Sequence, residues 1–294
     1  MPIIKESLKI FSFIKDDFSK NKGLWAWLLI IWLLACILTC VGLGELPLRD
    51  FDEGTVARVA FELSHQKGSE QLFPKIWGMN YLNKPPGIHW LIAKFIAFSN
   101  SHSGSIRELP TEFQIRLIPA LISTFVIPLG GLIQLSLRPK DRVASIATSV
   151  ILLTLLPIAR HGRLAMLDGP MLSAMALLWL LMVSCNGTSN DRWRLLGSGL
   201  ASSCMLLMKA PFLLPAAVAV LLPIIFENRS KNFFTFTSIA WLSIGLTPGV
   251  LWHIANFFQR GSEALWLWWG DGAGRVLFIS GSGSDLGWRV PFIE

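Results

Sequence analysis

Leu48-Arg49-Asp50-Phe51-Asp52-Glu53-Gly54 and, after an interval, Tyr81-Leu82-Asn83-Lys84-Pro85-Pro86-Gly87-Ile88-His89-Trp90 follow directly on the first long apolar run of the chain, Leu24 to Gly44. Three acids within four residues, and then a lysine set before two prolines, therefore emerge at a membrane face. Ionisable groups are costly near lipid, so their placement there points to function more than to packing.

The composition fixes the setting. Of 294 residues, 52% are hydrophobic and only 15% charged, with thirteen Trp and a mean hydropathy of +0.53. Soluble domains carry about 25% charged residues, so this is a membrane protein. The net charge of +7 would suggest nucleic acid in a soluble chain. Here the cations sit in short clusters between apolar runs and act as topology determinants, and no nucleic-acid partner is expected. Cys36, Cys40, Cys185 and Cys204 lie inside apolar runs without metal-ligand spacing and read as buried thiols.

Residues 1–23 carry five lysines and read as a cytoplasmic leader. The first span, 24–44, is entered through Trp25 and Trp27 and lacks a cleavage site, so it is not a removed signal peptide. Apolar runs recur at 115–137, 143–160, 170–186, 195–210, 211–226 and 233–256. Residues 87–99 would reach only ~20 Å as a helix, with Lys94 in the middle, and are laid along the interface. A second interfacial helix is expected over 53–66. Seven spans put residues 1–23, Arg138 to Arg142, Asp191 to Arg194 and Glu227 to Lys231 on one side, as the positive-inside rule requires. An eighth would scatter them. The glycosylation sequons at Asn186 and Asn228 then fall inside and are discounted. The expectation is an all-α membrane protein of about seven transmembrane helices (24–256), with an outer loop at 45–114 and an outer tail at 257–294.

That topology gathers Asp50, Asp52, Glu53, Arg58, Lys84, His89, Arg160, His161, Arg163, Asp168, Lys209 and Asp271 on the outer face. Carboxylates accept a proton from an attacking hydroxyl, while Lys or Arg steadies a departing phosphate. A substrate with a phosphate head and a long apolar tail suits such a boundary. Blander readings stand beside this one. Asp52 and Glu53 cap a helix; Lys84 snorkels to lipid headgroups; Arg160 and Arg163 end a helix or hold anionic lipid. His89 and His161 are surface or packed histidines, and Trp266, Trp268 and Trp269 form an interfacial belt.

The two opening segments resemble the first outer loop of the GT-C membrane glycosyltransferases. The branch is that of the bacterial 4-amino-4-deoxy-L-arabinose lipid A transferase and the dolichyl-phosphate-mannose–protein mannosyltransferases. Later landmarks keep the order: Arg116-Leu117, Leu164 to Pro170, Leu206 to Phe212, and Gly270 to Arg275. The resemblance implies an extracytoplasmic transferase using a polyprenyl-phosphate sugar donor and a lipid, glycan or protein acceptor, in a plasma membrane of bacterial type. It implies catalytic roles for Asp52, Glu53 and Asp168, and donor-phosphate contacts for Lys84 and Lys209, joined by Arg58 and Arg163. Asn83 and Asp271-Gly272 stand where the family often has metal-capable Glu and Glu-His. No cofactor is expected, with a divalent metal left open. Val56 replaces a common tyrosine. Family members usually run longer, which implies a fragment or a split gene product. The alternative from another class is a non-catalytic or truncated multispan subunit that binds lipid-linked sugar. A transporter comes third, for want of mid-membrane charges or internal symmetry.

Overall fold

The computed structural model describes residues 22–49, 52–103, 109–185, 191–226 and 235–268. The leader up to residue 21, Asp50, Asp271, both sequons and the tail beyond 268 lie outside the described residues.

The architecture is helical. The elements are α1 (Lys22–Cys40), α2 (Asp52–His65), a two-stranded hairpin β1 (Lys75–Ile76) and β2 (Met79–Asn80), α3 (Gly87–Ser103), α4 (Glu112–Ser123) and α5 (Val126–Leu137). Then come α6 (Arg142–Thr154), α7 (Leu156–His161), α8 (Asp168–Val183), α9 (Arg192–Lys209), α10 (Leu213–Phe226), α11 (Phe236–Arg260) and the short α12 (Trp266–Trp268). Among the described residues four segments are long and apolar enough to cross a membrane: Lys22–Cys40, Glu112–Leu137, Arg192–Phe226 and Phe236–Trp268. Helices α6 and α8 are apolar but shorter. This is an integral membrane protein, and α2 and α3 occupy the places expected for the two interfacial helices.

Local sequence accounts for the boundaries. Thr111 caps α4 through a reciprocal box with Gln114, Asp141 caps α6 at the Ala144 N–H, and Thr235 caps α11 at the Ser238 N–H. The run at 143–160 is interrupted at Leu155, which is extended (φ −69°, ψ 115°) just before Leu156-Pro157. Proline has no N–H to continue the ladder and crowds the preceding turn. Lys209 is likewise non-helical (φ −155°, ψ 81°) ahead of Ala210-Pro211.

Contacts between helices give their directions. Thr124 accepts the Trp32 indole N–H at 3.0 Å, while Leu28 lies against Gly131, so α1 runs antiparallel to α4–α5. Ser145 and Ser149 of α6 donate to the carbonyls of Gly131 and Ile127, again antiparallel. Ser173 reaches the Ser123 carbonyl and Ser184 reaches Ser136, so α8 runs parallel to α4–α5. Gly197 faces Leu181 and Lys209 meets Asp168, so α9 returns. Helix α10 packs Val220 and Ile224 with Leu178 and Met182, beside the start of α9, and so the chain doubles back at Lys209.

Helices α9 and α11 run parallel in backbone contact. A Cβ at Gly245 would lie 2.2 Å from the Leu196 carbonyl oxygen, and one at Gly199 2.2 Å from that of Leu242. Small residues let helix backbones close up in this way. The C-terminal half of α11 then carries the loop that precedes Lys84. Trp252 donates to the Leu72 carbonyl at 2.8 Å, and Arg260 donates to those of Pro74 and Tyr81 at 2.7 and 2.9 Å. Trp90 of α3 secures the Gln71 carbonyl at 2.6 Å.

Candidate active site

Helix α2 starts at Asp52, so Asp52 and Glu53 occupy its first turn, where carboxylates suit the free N–H groups and the helix dipole. Being adjacent, they point apart. Asp52 faces solvent, whereas Glu53 is wholly buried.

Glu53 is saturated. Its Oε1 accepts from Arg116 Nε at 2.8 Å and from the Ala165 N–H at 2.7 Å. Its Oε2 accepts from an Arg116 terminal nitrogen at 2.7 Å and from the Arg49 N–H at 2.9 Å. Burial pushes the Glu53 pKa up, but the hydrogen bonds from Arg116, Ala165 and Arg49 outweigh it and the net shift is downward. Arg116 gives its remaining N–H groups to the carbonyls of Leu43, Leu46 and Pro47 at 3.1, 2.7 and 2.8 Å. All five guanidinium donors are thereby used. The pair ties the end of α1, the start of α2 and the strand of chain before Asp168 to α4.

Two further acid–lysine pairs lie around this latch. Lys84 Nζ stands 3.8 Å from Asp52 Oδ1, and Lys209 Nζ 3.2 Å from Asp168 Oδ1. In both, the lysine side chain is recessed (18% and 23% exposed) and the carboxylate open (52% and 46%). Lys84 immediately precedes Pro85, a position that favours extended backbone, and its ammonium reaches Asp52 on α2. Lys209 also sits 4.7 Å over the Phe212 ring. The lysines belong together because α3 begins against the end of α9: a Cβ on Gly87 would meet the Leu207 carbonyl oxygen at 2.7 Å. The acids belong together because Glu53 binds Ala165, three residues before Asp168.

The other expected cations have partners of their own. Arg58 pairs with Glu62 at 2.7 Å along α2, and Arg163 donates to the Val41 carbonyl. His161 is exposed. His89 is buried, edge-on to Tyr81 at 5.5 Å. Burial first, then the charge of Lys84, brings its pKa down to about 3, so it is a neutral packed residue at ordinary pH. Trp268 packs 5.3 Å from His253. Among the described residues no three His, Cys, Asp or Glu side chains gather as a metal site would require.

Arg116 and Arg260 were not among the expected site residues. A signal for both was present: a charge within or at the end of an apolar run must find partners.

The profile of the dolichyl-phosphate-mannose-protein mannosyltransferase family matches residues 86–259. No curated protein sequence matches significantly. The fold resembles ArnT from Cupriavidus metallidurans. Against its undecaprenyl-phosphate-bound crystal structure the TM-score is 0.69 at 16% identity, covering 91% of this chain and 48% of that one. Against its apo structure the score is 0.64 at 18% identity, covering 82% and 44%. The chain thus spans about half the length of these structures.

Proposed function

The chain belongs to the dolichyl-phosphate-mannose-protein mannosyltransferase family, and from that premise we propose that it is a membrane glycosyltransferase drawing on a polyprenyl-phosphate sugar. The observation that carries the reading is the doubled motif of a recessed lysine beside an open aspartate, at one end of the helix bundle. The likeness to ArnT, a protein whose structure holds undecaprenyl phosphate, supports a donor of that class. The alternating helix directions support the seven-span reading, and the basic loops at its other end support a site on the extracytoplasmic face of a bacterial plasma membrane.

In this reading Lys84 and Lys209 receive the donor phosphate, and Arg58 and Arg163 contribute charge from further out. An acceptor hydroxyl attacks the anomeric carbon and forms the new C–O bond. The bond from that carbon to the phosphate oxygen breaks, and polyprenyl phosphate departs with its electron pair. Asp52 takes the hydroxyl proton, and the lysines offset charge growing on the phosphate. Asp168 holds Lys209 in place until the phosphate arrives. Glu53 acts as a positioning residue, since its oxygens are fully committed. The acceptor is a lipid, glycan or protein hydroxyl.

The test measures undecaprenyl-phosphate binding to the purified chain in nanodiscs. Lys84→Ala with Lys209→Ala should weaken it by at least about tenfold, since each removes a charge-assisted contact. Unchanged binding overturns the assignment. Binding without sugar transfer would favour the non-catalytic subunit.

A further inference from the structure

We propose that the outer loop holds a second binding site, a cleft for a neutral saccharide, walled by Glu62, Gln66, Lys67, Glu70, Lys75 and Gly78, the last sharing its turn with Trp77. The cleft is a groove open to solvent with a volume of about 500 Å3, within the range of small-ligand sites.

Trp77 is the first clue. It occupies the turn between β1 and β2 with φ +51°, followed by Gly78 at +76°. Among the described residues it is the one non-glycine with positive φ. Two positive φ values in a two-residue hairpin turn favour Asn-Gly, and a bulky side chain there is strained. The conformation is imposed by Glu62, whose carboxylate accepts the Trp77 N–H at 2.7 Å and the Gly78 N–H at 3.4 Å. Arg58 fixes that carboxylate in turn at 2.7 Å. Yet the ring so carefully held is 68% exposed. The strain secures no burial within the chain, which points to a contact outside it.

The wall beside it supplies the chemistry. Glu62 and Glu70 offset Lys67 and Lys75, so the cleft is rich in hydrogen-bonding groups and nearly neutral. An anionic headgroup would call for an excess of cations. Gln66 also lines the cleft, and its side-chain amide brings both donor and acceptor groups. Hydroxyl groups answer both features, and the C–H face of a pyranose suits the flat indole. Glu62 lies ten residues along α2 from Asp52, ~15 Å at helical rise. A sugar seated here would be a remote unit of an extended glycan. Its service as an acceptor seat rests on the transferase reading; its affinity for saccharide does not.

Binding is therefore tested without turnover, on the full chain in nanodiscs, with maltotriose and chitotriose as probes and calorimetry or saturation-transfer NMR as readout. At least one trisaccharide should bind saturably. Trp77→Gly should weaken it about tenfold or more while leaving the unfolding temperature equal or higher, because glycine accepts the turn without strain. Gln66→Ala should cost a smaller factor, and undecaprenyl-phosphate binding should be unaffected by either change. Absence of binding by both sugars, or full binding by Trp77→Gly, overturns the proposal. So does quenching of the fluorescence by brominated lipids that Trp77→Gly abolishes, which would make the ring a bilayer anchor.

Discussion

Glu53 and Arg116, 63 positions apart in sequence, meet through two hydrogen bonds of 2.7 and 2.8 Å in a pocket closed to solvent. Neither partner has a spare group to offer a substrate. Removing one of them leaves the other charged and buried, which typically costs about 3–5 kcal/mol. Arg116→Ala and Glu53→Gln should therefore each lower the unfolding temperature of the detergent-purified chain sharply. Arg116→Lys should recover little, because an ammonium cannot replace a five-donor fork. A wild-type melting profile for Arg116→Ala would show that the latch is dispensable.

Asp52 carries the opposite expectation. Its carboxylate is open and its ion pair long, at 3.8 Å, so Asp52→Asn should leave folding intact. If Asp52 is the general base proposed above, the change should reduce sugar transfer by on the order of 10²–10⁴-fold, with donor binding nearly unchanged. Should the Asn variant turn over normally, Asp168 becomes the better candidate, and Asp168→Asn is the companion measurement.

Lys84→Ala should impair use of the donor more than of the acceptor, and Lys84→Arg should restore only part of it. Titrating donor and acceptor separately distinguishes this from a headgroup anchor, for which the donor dependence would not change.

Acid should destabilise the fold in two stages. His89 has its pKa lowered from 6.5 to about 3, so between those values the unfolded chain takes up a proton that the folded chain refuses. Stability falls with pH throughout that window. The Glu53 pKa is also lowered from 4.5; its contribution is complete above that value and is lost as pH drops through the folded pKa. Unfolding temperatures measured from pH 7 to 4 should decline, and His89→Gln should flatten the decline above pH 4.5.

Topology can be read with single cysteines. Positions beside Asp52 and Asp168 should be labelled from outside the cell, and positions near Lys140 only from inside. External labelling near Lys140 would relocate the site.

Much of this was legible in sequence because charge is rare here. Asp52, Lys84, Asp168 and Lys209 stood out as ionisable residues at the ends of apolar runs, and the structure brings them to one end of the bundle. Sequence could not tell Asp52 from Glu53. Which neighbour turns inward depends on Arg116, and that partner arrives from another helix. Arg58 and Arg163 shared the right region but had nearer partners, Glu62 along the same helix and the Val41 carbonyl. The strain at Trp77 was illegible, since no pattern of residue types marks a tryptophan for a positive φ.

The contact of Gly199 with Gly245 has a bearing on how tolerant this site is to change. Lys209 ends one of these helices, and the other suspends the chain leading to Lys84. The gap between the two recessed ammonium groups is therefore gauged by hydrogen atoms touching across two backbones. Drift elsewhere in the apolar surface can alter the protein's fit to its lipid surroundings and leave that gauge untouched. One methyl group at Gly245 would reset it from some distance away, without touching a charged residue.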